Sequence, residues 1–236
     1  MVEVLSESSS RPSLAMNLVV RGRRAVIVGG GAVGRRKARS LLRAGADVVV
    51  VEPEATLPPP VDSGTWAHVV ERFHPSQLEG ASLVFAATDD PEVNREVASA
   101  ARRIGALVNV ADDPAGSDFH LPAVLTRGDL VIGVSTGGTC PGFSQVMKGR
   151  IEALLGDEVG LALKVASAAR RWLIRETRDW ADRSRYRPLV TDALFRACRQ
   201  GDLVAIERQL AETLGPDCTL RALGLAERSV DSSEDA

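Results

Sequence analysis

The chain has 236 residues, 44% of them hydrophobic and 25% charged, with a formal net charge of -2. It is long enough to bury a sizeable core, and its charge excludes a globally basic nucleic-acid binder, though not a local basic face. No apolar run approaches the length of a membrane span, about 18 residues, and a serine-rich start with Glu3 and Glu7 lacks the basic and apolar regions of a signal peptide.

Residues 1–15 are polar and serine-rich and read as a disordered tail, with Met16 as an alternative start; 226–236 reads as a second loose tail. From about 17 to 112 apolar runs alternate with amphipathic stretches. Ala25–Val28 reads as a short buried strand, and a helix over 32–44 closes at Gly45. Val48–Val51 is β-branched throughout and reads as a central strand buried on both faces, ending at Glu52. Residues 66–73 give a weaker third strand, His68 to Phe73. Leu83–Ala87 gives a fourth strand, running into Thr88-Asp89-Asp90. Asp90 as N-cap and Pro91 in the first turn open a helix to about Ile104, which Gly105 closes. Leu107–Val110 is a fifth strand. This alternation implies a parallel sheet with right-handed crossovers.

Past 119 the pattern changes. Leu121–Thr126, Arg127-Gly128-Asp129 and Leu130–Val134 read as a β-hairpin. Helices are expected over 142–155, 158–183, 189–200 and 202–214, punctuated by Gly156, Pro188 and Gly201. The fold class is therefore α/β: a Rossmann-like domain over 16–113, a hairpin region over 114–147 and a helical domain over 148–225.

The glycines at 29, 31 and 34 stand in the G-x-G-x-x-G spacing of a dinucleotide-binding turn. In that reading Gly29 permits the tight turn, Gly31 lets backbone approach a pyrophosphate, and Gly34 lets the helix pack close to the strand. The phosphates are expected at the backbone of Gly31, Ala32 and Val33, on the positive end of the helix. Glu52 lies 23 residues after Gly29, where a carboxylate accepts the adenosine ribose hydroxyls and repels the 2′-phosphate of NADP. This points to NAD, with Pro53, Thr88 and Asp89 as further cofactor contacts.

Asp112, just past the fifth strand, is placed to take a proton or attract a metal cation; equally, Asp112 and Asp113 serve to shape a turn before Pro114. Ser135, Thr136, Gly137 and Gly138 offer hydroxyls and N–H groups for substrate carboxylates, or else form a glycine-bearing entry into the next helix. His120 is a weak metal candidate beside Asp112 and more often a packing residue; His68 and His74 are poorer still. The segment 164–187 holds eight basic residues against three acidic ones, which suits an anionic substrate or a solvated helix face. Its few aromatics are not interleaved, so no nucleic-acid role is expected. Cys140, Cys198 and Cys218 form no C-x-x-C pair. That argues against a disulfide framework or zinc site and fits a reducing cytoplasm.

Several ordered motifs carry a resemblance. Val26-Ile27-Val28-Gly29-Gly30-Gly31, with Val33 and Arg36-Lys37-Ala38, then Ala86-Ala87-Thr88-Asp89-Asp90 and Asn94, resemble the siroheme synthase family. Asn109-Val110, Asp112 and Pro114, then Phe119, Pro122-Ala123, and Ser135, Gly137-Gly138 and Pro141 resemble it as well. The match covers roughly 17–155; the helical part is similar in length and character only. The resemblance implies NAD-dependent oxidation of precorrin-2 to sirohydrochlorin, followed in bifunctional members by insertion of Fe²⁺ (or Co²⁺) as the substrate metal. It implies that Asp112 serves both steps, as general base and in chelation. It also implies a homodimer, with the hairpin as dimerisation region and residues after about 113 crossing to the partner. The fused uroporphyrinogen-III methyltransferase domain of some members is not expected here, nor is a membrane partner. The alternative is an NAD-sensing regulatory module without catalysis.

Overall fold

Five strands, β1 (Arg24–Val28), β2 (Asp47–Val51), β3 (Trp66–Val69), β4 (Leu83–Ala86) and β5 (Leu107–Val110), form one parallel sheet in the order β3-β2-β1-β4-β5. The computed structural model describes residues 13–54, 64–176 and 185–225. Of the loose ends expected over 1–15 and 226–236, residues 1–12 and 226–236 lie outside them. Successive side chains of a strand point to opposite faces, so the fully apolar strands feed two cores. Helix α1 (Ala32–Arg43) packs Ala38, Leu41 and Leu42 on Ile27, Val48, Val50 and Phe85 of one face. Helix α2 (Pro91–Arg103) packs Val97, Ala98 and Ala101 on Val26, Val28, Val84 and Val108 of the other. Side chains such as Ile27 and Phe85, both fully buried, each contribute about 1.5–3 kcal/mol to such a core.

Asp90 caps α2 as its sequence predicts, its carboxylate accepting the Glu92 N–H at 2.8 Å. The third strand differs from expectation. It spans Trp66–Val69 and stops short of Phe73, because its partner β2 ends first: Val51 pairs with Val69, the Glu52 N–H donates to Val69 O, and Pro53 follows. A single 3₁₀ turn at Pro75–Leu78 follows instead.

At the other edge, the chain after β5 returns along it. The Val108 N–H donates to the Asp118 carboxylate at 3.0 Å, the Val110 N–H to Ser117 Oγ at 2.9 Å, and the Asp118 N–H to Val108 O. Side chains here replace the ladder a sixth strand would provide.

This sheet, its two helices and the loop 135–141 form one compact unit; 122–134 and the described residues from 142 on form another. In the second, β6 (Ala123–Arg127) and β7 (Leu130–Val134) pair antiparallel across a two-residue Gly128-Asp129 turn. The helices are α3 (Pro141–Leu154), α4 (Glu158–Glu176), α5 (Asp192–Gln200) and α6 (Leu203–Leu214). Val165, Ala169, Leu173, Leu194, Ile206 and Leu210 are among the residues of their core. The helix expected from 189 begins at Asp192, because the Thr191 hydroxyl accepts the Leu194 N–H and Pro188 sits in a preceding 3₁₀ turn, Arg187–Leu189. The end of the helix expected over 158–183 lies outside the described residues, as do Arg178, Asp179, Asp182 and Arg183 of the basic segment. Lys164, Arg170, Arg171 and Arg175 are exposed on α4, opposite its buried Ala162, Val165, Ala169 and Leu173.

Candidate functional site

Strand order reverses direction between β1 and β4, and in open parallel sheets a ligand sits outside the carboxyl ends of the strands at that point. The glycine turn leaves β1 there and the Thr88 turn leaves β4 beside it. Gly29 has φ +107°, and a Cβ on it would fall 2.3 Å from Ala87 O, so only glycine fits between the two strand ends. Gly34 faces back onto the turn: a Cβ there would lie 1.9 Å from Gly29 O and 3.3 Å from Ile27. Its place is in helix–strand packing. Gly31 is the opposite case, with nothing within 4 Å of the Cβ position.

Gly31 is the N-cap of α1 and gives it no side-chain cap. Among the described residues, the N–H groups of Ala32, Val33 and Gly34 have no acceptor, as the first turn of a helix leaves them. Open space over Gly31, unpaired N–H donors and a helix N-terminus together fit a dinucleotide pyrophosphate. Glu52 stands at the end of β2, its carboxylate accepting the Gly30 N–H at 2.7 Å and the Glu54 N–H at 3.2 Å. Glu52 is thus in contact with the glycine turn at Gly30, a contact its spacing from Gly29 does not by itself announce. Pro53 is exposed next to it. His68 supports the strand end from below: its Nε2 lies 3.0 Å from Glu52 O.

The exit from β4 is held by a residue that spacing alone does not single out. Asn94, buried in α2, accepts from the Thr88 N–H at 3.1 Å and from the Thr88 hydroxyl at 2.8 Å. Its Nδ2 donates back to Thr88 O at 3.0 Å. Thr88 is consumed in this clasp, while Asp89 beside it is exposed.

Asp112 is the one non-glycine among the described residues with positive φ, +59°. A left-handed aspartate costs of order 1 kcal/mol or more and persists where its surroundings fix it. Its carboxylate is exposed and takes no hydrogen bond among the described residues. Asp113 does the turn-shaping, accepting the Gly116 N–H at 2.8 Å. Asp113 thus takes on the turn-shaping that the sequence left open to both aspartates.

Lys37 of α1 is a candidate site residue that sequence reasoning missed. It is half-buried, donates from Nζ to Asn109 Oδ1 at 2.5 Å, and lies 5.1 Å from the centre of the Phe85 ring. Burial, and then the like charge of Arg36, pull its pKa below the usual lysine value, while Asp112 pulls the other way. The only available signal was its place in the Arg36-Lys37-Ala38 motif, on a helix face otherwise apolar.

The loop 135–140 lies against the Asp112 turn. A Cβ on Gly138 would come 3.0 Å from Pro114 and 3.3 Å from His120 Cε1, so the loop approaches as closely as glycine allows. Ser135 Oγ accepts the Gly137 N–H at 3.1 Å and Thr136 Oγ1 the Cys140 N–H at 3.0 Å, giving the loop its shape. His120 is half-buried. Among the described residues no group of three or more His, Cys, Asp or Glu is arranged to hold a metal ion. None of their helices is long and apolar enough to cross a membrane.

Residues 16–123 match a family of putative NAD(P)-binding domains. Siroheme synthase 2 of Aeromonas salmonicida is 39% identical over 203 residues, covering 85% of this chain and 42% of that protein. Siroheme synthase of Chromobacterium violaceum is 36% identical over 200 residues, covering 84% of this chain and 43% of its own. The chain thus spans less than half the length of the curated relatives it matches. Among solved structures, SirC, a precorrin-2 dehydrogenase, aligns with a TM-score of 0.70 over 85% of this chain and 98% of its own, at 21% identity, which shows a shared fold.

Proposed function

We propose that this chain, a homologue of the siroheme synthases over most of its own length, catalyses NAD-dependent dehydrogenation of precorrin-2 to sirohydrochlorin. The observation that carries the reading is Asp112, an exposed carboxylate with no hydrogen bond among the described residues, held in a left-handed turn beyond β5, two strands from the glycine turn. The motif set around it and the names of its relatives give the substrate class.

NAD, when bound, supplies the hydride-accepting ring; the chain's own residues do the rest. The N–H groups of Gly31, Ala32 and Val33 would hold its pyrophosphate and Glu52 its adenosine ribose, with Pro53, Thr88 and Asp89 around it. Gly34 keeps α1 close enough for this to happen. As a hydride leaves the reduced macrocycle, a ring proton must also leave, and Asp112 is the base that takes it. Ser135, Thr136, Gly137 and Gly138 would seat carboxylates of the tetrapyrrole, their loop lying against Pro114 and His120.

Iron insertion is the second step we assign, with Fe²⁺ as substrate. A macrocycle supplies its own nitrogen ligands, so the protein need not provide a three-residue metal site; it must remove two pyrrole protons, and Asp112 again is placed to do so. His120 is the residue we assign to pass the ion inward. We further assign a homodimer in which the parts beyond about 113 are exchanged.

The test is spectral and has two stages. Purified chain with precorrin-2 and NAD should yield NADH and sirohydrochlorin together, and added Fe²⁺ should then convert the product to siroheme. Tight NADH binding with no turnover of the tetrapyrrole would overturn the reading in favour of a sensor module. Turnover without metal insertion would confine it to the first step.

A further inference from the structure

The buried stripe of α2 holds one polar side chain. Asn94 lies in it with Val97, Ala98 and Ala101, at the spacing of a single helix face. A leucine there would suit both the core and the helix, and it would bring no polar atoms to desolvate. The carboxamide instead pairs with one residue. It accepts the Thr88 N–H at 3.1 Å and donates to Thr88 O at 3.0 Å, so both backbone groups of Thr88 are bonded to one side chain. The Thr88 hydroxyl is drawn into the same pairing. Its single hydrogen has Asn94 Oδ1 at 2.8 Å, closer than Asp90 O at 3.1 Å, and its oxygen accepts the Asp90 N–H at 3.3 Å. The hydroxyl is thus turned to α2.

The peptide joining Ala87 to Thr88, whose N–H Asn94 holds, is also the wall of the glycine turn. A Cβ on Gly29 would fall 2.3 Å from the oxygen of that peptide, 2.5 Å from its carbon and 2.8 Å from its nitrogen. One series of contacts therefore runs from α2 to the turn: Asn94, the Ala87–Thr88 peptide, Gly29. We propose that Asn94 is a positioning residue of the cofactor site: it locks the Ala87–Thr88 peptide, and that peptide sets where the turn over Gly29–Gly31 stands to receive a pyrophosphate. Thr88 serves this site through its backbone, its hydroxyl being bonded to Asn94. The inference rests on the NAD half of the reading above and does not depend on which substrate is oxidised. Asn94 touches neither cofactor nor substrate in this role; it acts through Thr88 and Gly29.

The experiment uses the full chain with Asn94→Leu, Asn94→Asp, Thr88→Val, Thr88→Ser, and Asn94→Leu combined with Thr88→Val. Three quantities are read: NADH affinity by calorimetry, the KM for NAD against kcat with saturating precorrin-2, and the backbone amide shifts of Gly29 and Gly30 in the ligand-free protein. Asn94→Leu should weaken NADH about 10-fold, the size of roughly one lost hydrogen bond. It should raise the KM for NAD more than it lowers kcat, and both glycine amides should move. Asn94→Asp keeps the acceptor for the Thr88 N–H and should lose less; an acid near the helix N-terminus is tolerated, so this variant carries the test if leucine prevents folding. Thr88→Val should weaken NADH in the wild-type background and add nothing in Asn94→Leu, because the pairing is already gone. Thr88→Ser, which keeps the hydroxyl, should restore most of that loss. Wild-type NADH affinity in both Asn94 variants, unmoved glycine amides, or a fall in kcat larger than the rise in KM would each overturn the proposal. An equal loss from Thr88→Val in both backgrounds would also overturn it, by placing the hydroxyl on the cofactor. A chain that binds NADH yet leaves precorrin-2 unoxidised loses the dehydrogenase reading, while NADH affinities and amide shifts still decide the role of Asn94.

Discussion

The Glu52 carboxylate accepts the Gly30 N–H at 2.7 Å, so the acid at the end of β2 and the glycine turn after β1 are parts of one structure. Glu52 shapes the turn and, in the function proposed, would present its charge to the adenosine ribose. The two contributions separate by substitution. Glu52→Gln keeps an oxygen acceptor and should shift the preference from NADH toward NADPH by about tenfold, about 1.4 kcal/mol. Glu52→Ala should weaken both cofactors, because the Gly30 N–H loses its partner. Calorimetric titration of each variant with NADH and NADPH checks this.

Gly29 admits no side chain. Alanine there must accept φ +107° with its Cβ 2.3 Å from Ala87 O, and backbone on both sides cannot yield cheaply. Gly29→Ala should destabilise the first unit by about 3 kcal/mol and abolish NADH binding, whereas Gly31→Ala, with open space around it, should leave thermal stability unchanged and weaken NADH binding alone. Thermal unfolding with and without NADH distinguishes the two.

Asp112→Asn tests charge without disturbing the turn, since asparagine tolerates left-handed backbone as readily as aspartate. It should reduce dehydrogenation at least about 100-fold, the usual contribution of a positioned base, with NADH affinity retained. Asp112→Ala should abolish turnover and also lower stability, by about 1 kcal/mol, through the strained backbone. Retained turnover in Asp112→Asn would remove the aspartate from the mechanism.

Much of this was legible in the sequence, and what was not has physical reasons. Val48–Val51 could only be a strand buried on both faces, and it is; Asp90 followed by Pro91 could only open a helix. The end of β3 was not legible because it depends on where β2 stops, a property of the partner rather than of residues 70–73. Asp192, capped by Thr191, rather than Leu189 starts α5 because a hydroxyl cap outweighs an apolar pattern that continues through Pro188. Lys37 and Asn109 lie 72 residues apart, and nothing local to either announces that they meet. Asp112 was recognisable as a candidate from its place after β5, but its left-handed backbone and the transfer of turn-shaping to Asp113 belong to the folded loop.

The second unit carries a charge buried against its core. Glu158, at the start of α4, has a side chain only 7% exposed and pairs with the Arg199 guanidinium of α5, which is 66% exposed. That hydrogen bond, more than any other cause, holds the Glu158 carboxyl below the usual carboxylate range. A depressed acid contributes stability above its unfolded-state pKa and loses it as pH falls through the folded value. The helical unit should therefore weaken as pH drops below the ordinary glutamate range. In Glu158→Gln the acid limb of the unfolding profile should be shallower, which acid titration followed by circular dichroism measures.

The three cysteines should divide by reactivity. Cys140 is exposed, while Cys198 and Cys218 are buried in the helical core. Burial, followed by the nearby Glu158, pushes the Cys198 thiol up, and burial followed by Glu207 pushes Cys218 up to about 11. Thiolate is the reactive form. A disulfide reagent at neutral pH should titrate Cys140 quickly in the native protein and reach the other two only on unfolding; Cys140→Ser should remove the fast phase entirely.

Ser117 and Asp118 close the edge of β5, and in doing so they tether a short loop at both ends. Its first end is the ladder bond from Ala111 N–H to Ala86 O; its second is the pair of side-chain stitches to Val110 and Val108. Five residues, Asp112 to Gly116, span the gap between two fixed points. An exposed carboxylate on the first residue of such a loop, directly after a ladder bond of the sheet, moves no more than a strand end does. Substitutions at Ser117 or Asp118, on the far side of the loop from any reacting atom, would therefore be felt at Asp112 first.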